Sequence, residues 1–376
     1  MMRNVVIWQA DLPGSLVMVT IQFRAAGNDD SEKVTRLLSS ANEWPGFNHE
    51  GSIVDFWDWR YRRNPLGPTN EIVAVAEDRA LSHAGSLPVE VRIGQKVRRC
   101  AQLSDLYTDP GSRGQGLMES ITNALFAADE RSGIEVELAF PSPAGYELTM
   151  KAGFTELPVN MGHYELIVNP GRFFRNVKFG AIKRIAYDGM RMMKGRGSGP
   201  EGSVEVFEVR TMPDDLVALT DEFEGRFELV FHRDDRYLRW RYEHPEGGAF
   251  RLLVASESGR TAGFAVLRPY RVNGKGFMDL VDLVALPENE SAIRALIDGS
   301  VDLCRQEDAD TLQAWLPTDH PFLPILGRIG FLLRQPMPGE RKIRLVCRQM
   351  TSDPELENAL ASNMRCHIVL GDTDWA

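Results

Sequence analysis

The stretch that decides the fold is Leu103-Ser104-Asp105-Leu106-Tyr107-Thr108-Asp109-Pro110-Gly111-Ser112-Arg113-Gly114-Gln115-Gly116-Leu117. Leu103 to Thr108 is short and rich in apolar residues, the pattern of a buried strand. Pro110 and Gly111 stop it. From Leu117 onward Leu117, Ile121, Ala124, Leu125 and Ala128 recur at helical spacing. Between strand and helix lies Arg113-Gly114-Gln115-Gly116. Glycine accepts unusual dihedrals and lets a ligand approach the main chain. The first N–H groups of a helix lack internal partners, and the dipole there favours negative charge. The order strand, sharp turn, helix therefore suits a pyrophosphate. Alone, Arg-Gly-x-Gly is a weak signal, since ordinary structural turns supply it too.

The flanks strengthen it. A second strand, Val136 to Phe140, follows the helix, and Lys151-Ala152-Gly153-Phe154 closes the segment. The arrangement resembles the GNAT superfamily of acyl-CoA N-acyltransferases, whose turn reads Gln/Arg-x-x-Gly-x-Gly/Ala with a Gly-Phe downstream. Here the six positions are Gly111-Ser112-Arg113-Gly114-Gln115-Gly116. The first is Gly, so one side-chain contact to phosphate is missing while the main-chain cradle is kept. The dinucleotide fingerprint fits poorly: the glycines do not make Gly-x-Gly-x-x-Gly, and no acid ends the next strand. The resemblance implies that Leu106, Tyr107, Thr108, Arg113, Gly114, Gln115, Gly116 and Leu117 bind the cofactor, acetyl-CoA acting as co-substrate.

The chain has 376 residues, enough for two domains, with 43% hydrophobic and 26% charged residues as in globular proteins. No apolar run approaches the ~18 residues of a membrane span. Val5-Val6-Ile7-Trp8 and Leu16-Val17-Met18-Val19 are separated by Gln9, Asp11, Pro13 and Gly14, which leaves no signal-peptide core. Cys100, Cys304, Cys347 and Cys366 have no metal-type spacing; free thiols in a reducing cytoplasm, and no metal, are expected. A net charge of −10 argues against a general nucleic-acid binder.

Taken in order, residues 1–19 form an N-terminal extension without a clear place. Ile21 to Arg24 reads as a first strand. Asp29 or Ser31 caps a helix that runs to about Asn42. Phe56-Trp57-Asp58-Trp59-Arg60-Tyr61 is either aromatic packing, the commoner case, or an acceptor-binding wall. Glu71 to Ala76 is a strand. Ala84 to Val91 and Val97 to Thr108 form a hairpin about Ile93-Gly94-Gln95. His163 to Val168 is a last strand.

The second half repeats the first. Trp59-Arg60-Tyr61 returns as Trp240-Arg241-Tyr242, Asp105-Leu106 as Asp282-Leu283, Phe140-Pro141 as Leu316-Pro317 and Gly153-Phe154 as Gly330-Phe331. The near-constant offset implies two copies of one fold. The expected class is α/β, mixed: two GNAT-like domains, each a mixed, mostly antiparallel sheet flanked by helices. Residues 20–169 make the acyl-CoA-binding copy and 204–345 the second, degenerate copy. In the latter, Glu288-Asn289-Glu290-Ser291 stands where the first has its glycine turn, and negative charge there opposes a pyrophosphate.

Between the copies, 170–203 is a basic amphipathic linker. From Gly171 to Pro200 there are eight basic residues and one acid, so this piece is +7 and the rest is −17 against a total of −10. Phe173, Phe174, Val177, Phe179, Ile182, Ile185, Tyr187 and Met190 interleave with them. The segment is either an interdomain helix packing its apolar side or a helix making peripheral contact with an anionic membrane or a partner. Gly195 to Ser203 reads as a flexible connector. In the tail, 346–376, a short helix and a strand over Cys366 to Leu370 are expected.

The resemblance implies acyl transfer by direct attack of a primary amine, from a small molecule or a peptide, on acetyl-CoA or another short acyl-CoA. A main-chain N–H near Leu106 is the donor for the thioester oxygen. A lysine-like amine of pKa ~10.4 costs about 4–5 kcal/mol to deprotonate at neutral pH. The base is not legible: Asp105 has a counterpart, Asp282, in the copy without the turn, which favours a structural role, and Glu137 and His163 are no better supported. Family members often carry a Tyr four residues before the Gly of Gly-Phe as the acid for the thiolate. Here that position is Thr149, and Tyr146, one turn earlier, is the candidate. The alternative function is a non-catalytic CoA-binding or interaction scaffold. Aminoacyl transfer from tRNA is disfavoured by the charge and the intact turn.

Overall fold

The computed structural model describes the chain except residues 1–2, 13–14, 42–43, 47–48, 50, 176–178, 195–203, 336–341 and 374–376. In chain order it runs β1 Arg3–Leu12, β2 Ser15–Ala25, α1 Ser31–Ser39, α2 Ile53–Tyr61, β3 Asn70–Ala76, β4 Arg79–Ile93, β5 Lys96–Thr108, α3 Leu117–Arg131, β6 Val136–Ala139, α4 Pro143–Lys151 and β7 Thr155–Glu156. It continues with β8 Met161–Ile167, α5 Pro170–Phe173, α6 Gly180–Lys194, β9 Val204–Val209, α7 Leu216–Glu224, β10 Leu229–Phe231, α8 Asp235–Tyr242, β11 Arg251–Glu257, β12 Arg260–Val272 and β13 Lys275–Ala285. The last elements are α9 Glu290–Gln306, β14 Thr311–Pro317, α10 Leu323–Ile329, β15 Leu332–Leu333, β16 Val346–Gln349, α11 Pro354–Ala361 and β17 Cys366–His367. Two compact units result. The first holds residues 1–90, 98–156 and 345–354; the second holds 91–97, 157–344 and 355–376.

In the first unit the sheet order is β1-β2-β3-β4-β5-β6-β16-β7. The period of two along β3 divides its two faces. Ile72, Ala74 and Ala76 share one apolar cluster with Leu117, Ile121 and Leu125 of α3. Val73 and Val75 share another with Val34 and Leu38 of α1 and Trp57 and Tyr61 of α2. Helices thus cover both faces, α3 on one and α1 with α2 on the other. Leu117, Ile121 and Leu125 are at most 3% exposed, and each such side chain contributes about 1.5–3 kcal/mol. The aromatic stretch of α2 is packing: Phe56, Trp57, Trp59 and Tyr61 are all buried.

Several expectations are corrected. Residues 3–12 are not a loose extension but strand β1, antiparallel to β2 with Ile7 opposite Val19. The first expected strand, Ile21 to Arg24, is the end of β2. The two apolar runs with Pro13-Gly14 between them carry a hairpin signal in the sequence. Neither Asp29 nor Ser31 caps α1. Asp30 is its N-cap residue, and its carboxylate accepts from the Gly27 N–H at 2.7 Å and from Arg24. The helix end expected at Asn42 and the connector Gly195 to Ser203 lie outside the described residues.

The second sheet runs β15-β8-β14-β13-β12-β11-β9. Strand β8, expected to complete the first copy, pairs with β14 and β15 instead. Residues 346–349, assigned to the tail, form strand β16, which pairs with β6 and β7 of the first sheet. The two copies exchange their closing strands. Periodicity identifies a strand but not which sheet edge it joins, which is why sequence spacing missed the exchange. Of the tail elements the short helix forms as α11, whereas the strand expected over Cys366 to Leu370 is limited to Cys366–His367, with a 3-10 turn over Leu370–Asp372.

Helix α6 is anchored by Tyr187, whose hydroxyl accepts from the Ile167 N–H at 3.0 Å and donates to the Ile167 carbonyl at 3.1 Å. Among its described apolar side chains, Ile182 and Ile185 are 67% and 73% exposed, and Phe179, just before the helix, is 66% exposed. Among the described residues no helix is long and apolar enough to cross a membrane.

Candidate active site

After β5 the chain makes a 3-10 turn over Pro110–Ser112, closed by Asp109, whose carboxylate accepts from the Gly111 N–H at 3.1 Å. Gly114 and Gly116 then take φ of 77° and 72°, the left-handed region that glycine enters without penalty. A Cβ built on either would meet nothing within 4 Å. Gly116 is the N-cap residue of α3, and no side chain caps the helix there. The Arg113 guanidinium folds over the strand end, its Nε donating to the Thr108 carbonyl at 3.2 Å and its carbon 5.7 Å from the Tyr107 ring. The turn is thus open, uncapped at a 15-residue helix and flanked by a cation, which fits an anionic phosphate group. Glu119, in the first helical turn, is the one charge there of opposing sign.

Beside this turn the sheet splits. Strands β5 and β6 pair in parallel only over Cys100–Gln102 and Val136–Leu138. Beyond that, β5 continues to Thr108 whereas β6 ends at Ala139. At the start of the divergence Asp105 has a φ of 55°, which costs a non-glycine residue about 1–2 kcal/mol.

A buried polar cluster surrounds Asp105. Its carboxylate accepts from Tyr61 Oη at 2.7 Å and Trp44 Nε1 at 3.1 Å, and Arg60 Nε lies 3.3 Å away. Arg60 also donates to Ser104 Oγ. The Asp105 main-chain carbonyl faces His83 Nδ1 at 2.8 Å, and His83 Nε2 faces Glu71 Oε1 at 3.1 Å. Arg62 donates to the other Glu71 oxygen. His83 is fully buried. Burial alone would push its imidazole down, but the bond to Glu71, its charge and the Asp105 carbonyl outweigh that and hold it above the usual histidine range. Burial and Asp105 push the Tyr61 phenol up. Sequence reasoning missed His83, Glu71 and Trp44. The only signal was a lone His in the apolar run Ala80-Leu81-Ser82-His83-Ala84, which reads equally well as a core histidine.

The other candidates lie elsewhere. Tyr146, on α4, packs against the α3-face cluster, and its hydroxyl donates to Glu156 Oε2 at 2.8 Å. Thr149 is buried and bonds the Tyr146 carbonyl. Glu137 is fully buried; desolvation, reinforced by Asp129, pushes its carboxyl up to about 9. A carboxyl raised that far keeps its proton at neutral pH. His163 belongs to the second sheet, stacked on Trp315 at 4.1 Å between Gln313 and Arg334, a core polar group. Asp105 has its carboxylate engaged by three donors, Tyr61, Trp44 and Arg60.

The second copy repeats the anchor and not the opening. Tyr242 Oη donates to Asp282 Oδ2 at 3.1 Å, as Tyr61 does to Asp105. Helix α9, however, is capped by Asn289, whose side chain accepts from the Ala292 N–H at 3.0 Å. Glu288 pairs with Arg226, and Glu290 with Arg294 and Arg328; these partners hold both carboxyls low. Strands β13 and β14 also part, after Leu280 and Ala314. That gap holds the chain's own C-terminal segment. Gly371 lies against the Val281 carbonyl, Val369 and Leu370 join the core, and Arg233 bridges Asp282 and Asp372. His367 sits 3.5 Å from Asp282 and 2.9 Å from His320, the latter just beyond β14.

Residues 22–155 match a family model described as an acetyltransferase (GNAT) domain. A probable N-acyltransferase from Enterococcus faecalis superposes with a TM-score of 0.61 at 11% identity, over 88% of this chain and 73% of that one. Saccharomyces cerevisiae N-myristoyltransferase with bound myristoyl-CoA gives 0.58 at 13%, over 91% and 81%. A tandem GNAT protein from the clavulanic acid biosynthesis pathway gives 0.56 at 13%, over 89% and 99%. Comparison with curated protein sequences gives no match.

Proposed function

We propose that the chain, whose residues 22–155 match an acetyltransferase (GNAT) domain, is an N-acyltransferase of the GNAT superfamily moving an acetyl or short acyl group from acyl-CoA to a primary amine. The observation that carries this reading is the open glycine turn at the uncapped start of α3, beside the split of β5 from β6. In this reading Gly114, Gln115, Gly116 and Leu117 offer main-chain N–H groups to the pyrophosphate, and Arg113 adds its charge. Leu106, Tyr107 and Thr108 border the acyl-bearing arm along β5. The bound thioester supplies an activated acyl carbon. The amine nitrogen bonds to that carbon, the C–S bond breaks, and Tyr146 gives its proton to the departing sulfur while the amine loses one to solvent. The Leu106 N–H meets the oxygen that gains charge, a contribution of several kcal/mol in such sites.

The acceptor is a small amine or a peptide amine. All four thiols are free and buried, which suits a reducing cytoplasm. The test is a screen of amines with acetyl-CoA, reading released CoA thiol. Release with at least one amine class supports the enzyme. Binding of acetyl-CoA without release for any amine supports the non-catalytic scaffold, the reading that Thr149 in the usual tyrosine position favours.

A further inference from the structure

We infer that His83 is a positioning residue that aims and polarises the Leu106 N–H toward the acyl oxygen, an inference that rests on the acyltransferase reading. The Asp105 carbonyl oxygen can only accept, so His83 Nδ1, 2.8 Å away, carries a proton. Nε2 faces Glu71 Oε1 at 3.1 Å, and Glu71 is paired on its other oxygen with Arg62, so the carboxylate is an acceptor there too. Both ring nitrogens donate, and the ring is an imidazolium buried against a carboxylate.

The effect reaches Leu106 through one peptide. The Asp105 C=O and the Leu106 N–H belong to the same planar trans unit and point in opposite directions. A donor fixed on the C=O therefore fixes the N–H, turned away from His83. His83 contacts the Tyr61 ring at 5.7 Å, on the side of the sheet that α1 and α2 cover. The Leu106 N–H is thus directed toward the side that carries α3 and its open turn. Asp105, at the head of this peptide, has the left-handed φ of 55°. A cation on the C=O also draws electron density from the amide and strengthens the N–H as a donor, as hydrogen-bond chains do. His83 touches no reacting atom; it works through the peptide.

The groups facing His83 are Glu71 on β3, the Asp105 carbonyl on β5 and the Tyr61 ring on α2. Arg62 acts through Glu71, and Arg60 through the Asp105 carboxylate. Two variants separate bond from charge. Glu71→Gln leaves a neutral imidazole that still donates from Nδ1. Glu71→Gln/His83→Leu removes the donor without leaving a buried carboxylate facing an apolar group.

The readout is the infrared band of acetyl-CoA labelled with 13C at the thioester carbonyl, bound to the protein, together with kcat and the Kd for acetyl-CoA. We expect a small fall in kcat for the single variant. For the double variant we expect a further fall of roughly tenfold, a band moved back toward that of free acetyl-CoA, and Kd within about threefold of wild type, the phosphate turn being untouched. A folded double variant with the band and kcat of the single variant overturns the inference while the enzyme reading stands. If the double variant does not fold, the band of the wild type is followed with pH. It should move toward the free value as the pH rises through the ionisation of His83 and stay flat in Glu71→Gln; no movement in the wild type overturns the inference. Failure of the wild type to bind acetyl-CoA overturns the acyltransferase reading and this inference with it.

Discussion

One chain should bind one acyl-CoA, in the first copy, and Gly114→Glu should abolish that binding. At Gly114 φ is 77° and a Cβ meets no neighbour within 4 Å. The substitution therefore costs the fold only the left-handed strain of about 1–2 kcal/mol, which a thermal melt can verify. Its side chain enters the space in front of the α3 N–H groups. Its carboxylate would stand near the phosphates. Each pair of unit charges at 4 Å opposes by about 1 kcal/mol in water and about 4 kcal/mol at the effective dielectric near a protein surface. With 1.4 kcal/mol per tenfold, two such pairs give a loss of roughly 30-fold to roughly 5 × 10⁵-fold in affinity before lost hydrogen bonds are counted. Gly114→Ala, with the strain but not the charge, should bind more weakly than wild type yet measurably. Calorimetry with acetyl-CoA decides. The second copy should contribute nothing, because Asn289 occupies its helix start and residues 369–372 occupy its strand gap. A stoichiometry near two, or binding by Gly114→Glu within threefold of wild type, would refute the reasoning.

Four further outcomes are expected. Tyr146→Phe should lower kcat by roughly 10² or more with the Kd for acetyl-CoA nearly unchanged; unchanged turnover removes Tyr146 from the mechanism. Glu137 carries a pKa raised to about 9 in the fold against an ordinary carboxyl in the unfolded chain. Between those values the native state holds the extra proton, so stability falls as pH rises through that window. Glu137→Gln should accordingly raise stability at pH 8 by roughly 2 kcal/mol and flatten that slope, as read by urea unfolding at pH 5 and pH 8; an unchanged slope contradicts the assignment. Asp372→Ala leaves the buried Arg233 with Asp282 as its remaining carboxylate partner and should cost about 3–5 kcal/mol, seen as a lowered melting temperature and not as a second acetyl-CoA site. The exposed row Phe179, Ile182 and Ile185, flanked by the exposed Lys183 and Arg184, should take the protein onto anionic vesicles at low salt and release it at high salt; Ile182→Glu/Ile185→Glu should abolish sedimentation, and no binding by the wild type leaves the row without a membrane role.

The glycine turn was legible because its signal is local. Pro110, Gly111, Gly114 and Gly116 act on their own backbone, and positive φ at Gly114 and Gly116 follows from residue type. The repeat was legible for a similar reason: Trp-Arg-Tyr and Asp-Leu recur in order, and in both copies the Tyr reaches the Asp. What escaped was non-local. Nothing in Met161 to Ile167 says that it pairs with β14, and nothing in Val346 to Gln349 says that it pairs with β6. The imidazolium at His83 escaped too, since its state depends on Glu71, twelve residues away, and on a carbonyl twenty-two residues away.

The two copies start from the same frame and fill it in opposite ways. Each has a parallel strand pair that parts after a few residues, and each anchors the parting strand by an Asp that accepts from a buried Tyr. In the first, the helix start beside the parting strands is left bare: glycines without Cβ neighbours and no cap. The N–H groups of such a start are left to water or to an anionic ligand. In the second, the chain's own side chains stand at the helix start. Asn289 takes the free N–H, arginines neutralise Glu288 and Glu290, and Arg233 with His367 ties the C-terminal segment to Asp282. A helix start capped by a side chain and bordered by carboxylates offers less to a phosphate than one left open. On this physical ground acyl-CoA is expected in the first copy, beyond the presence or absence of a glycine motif.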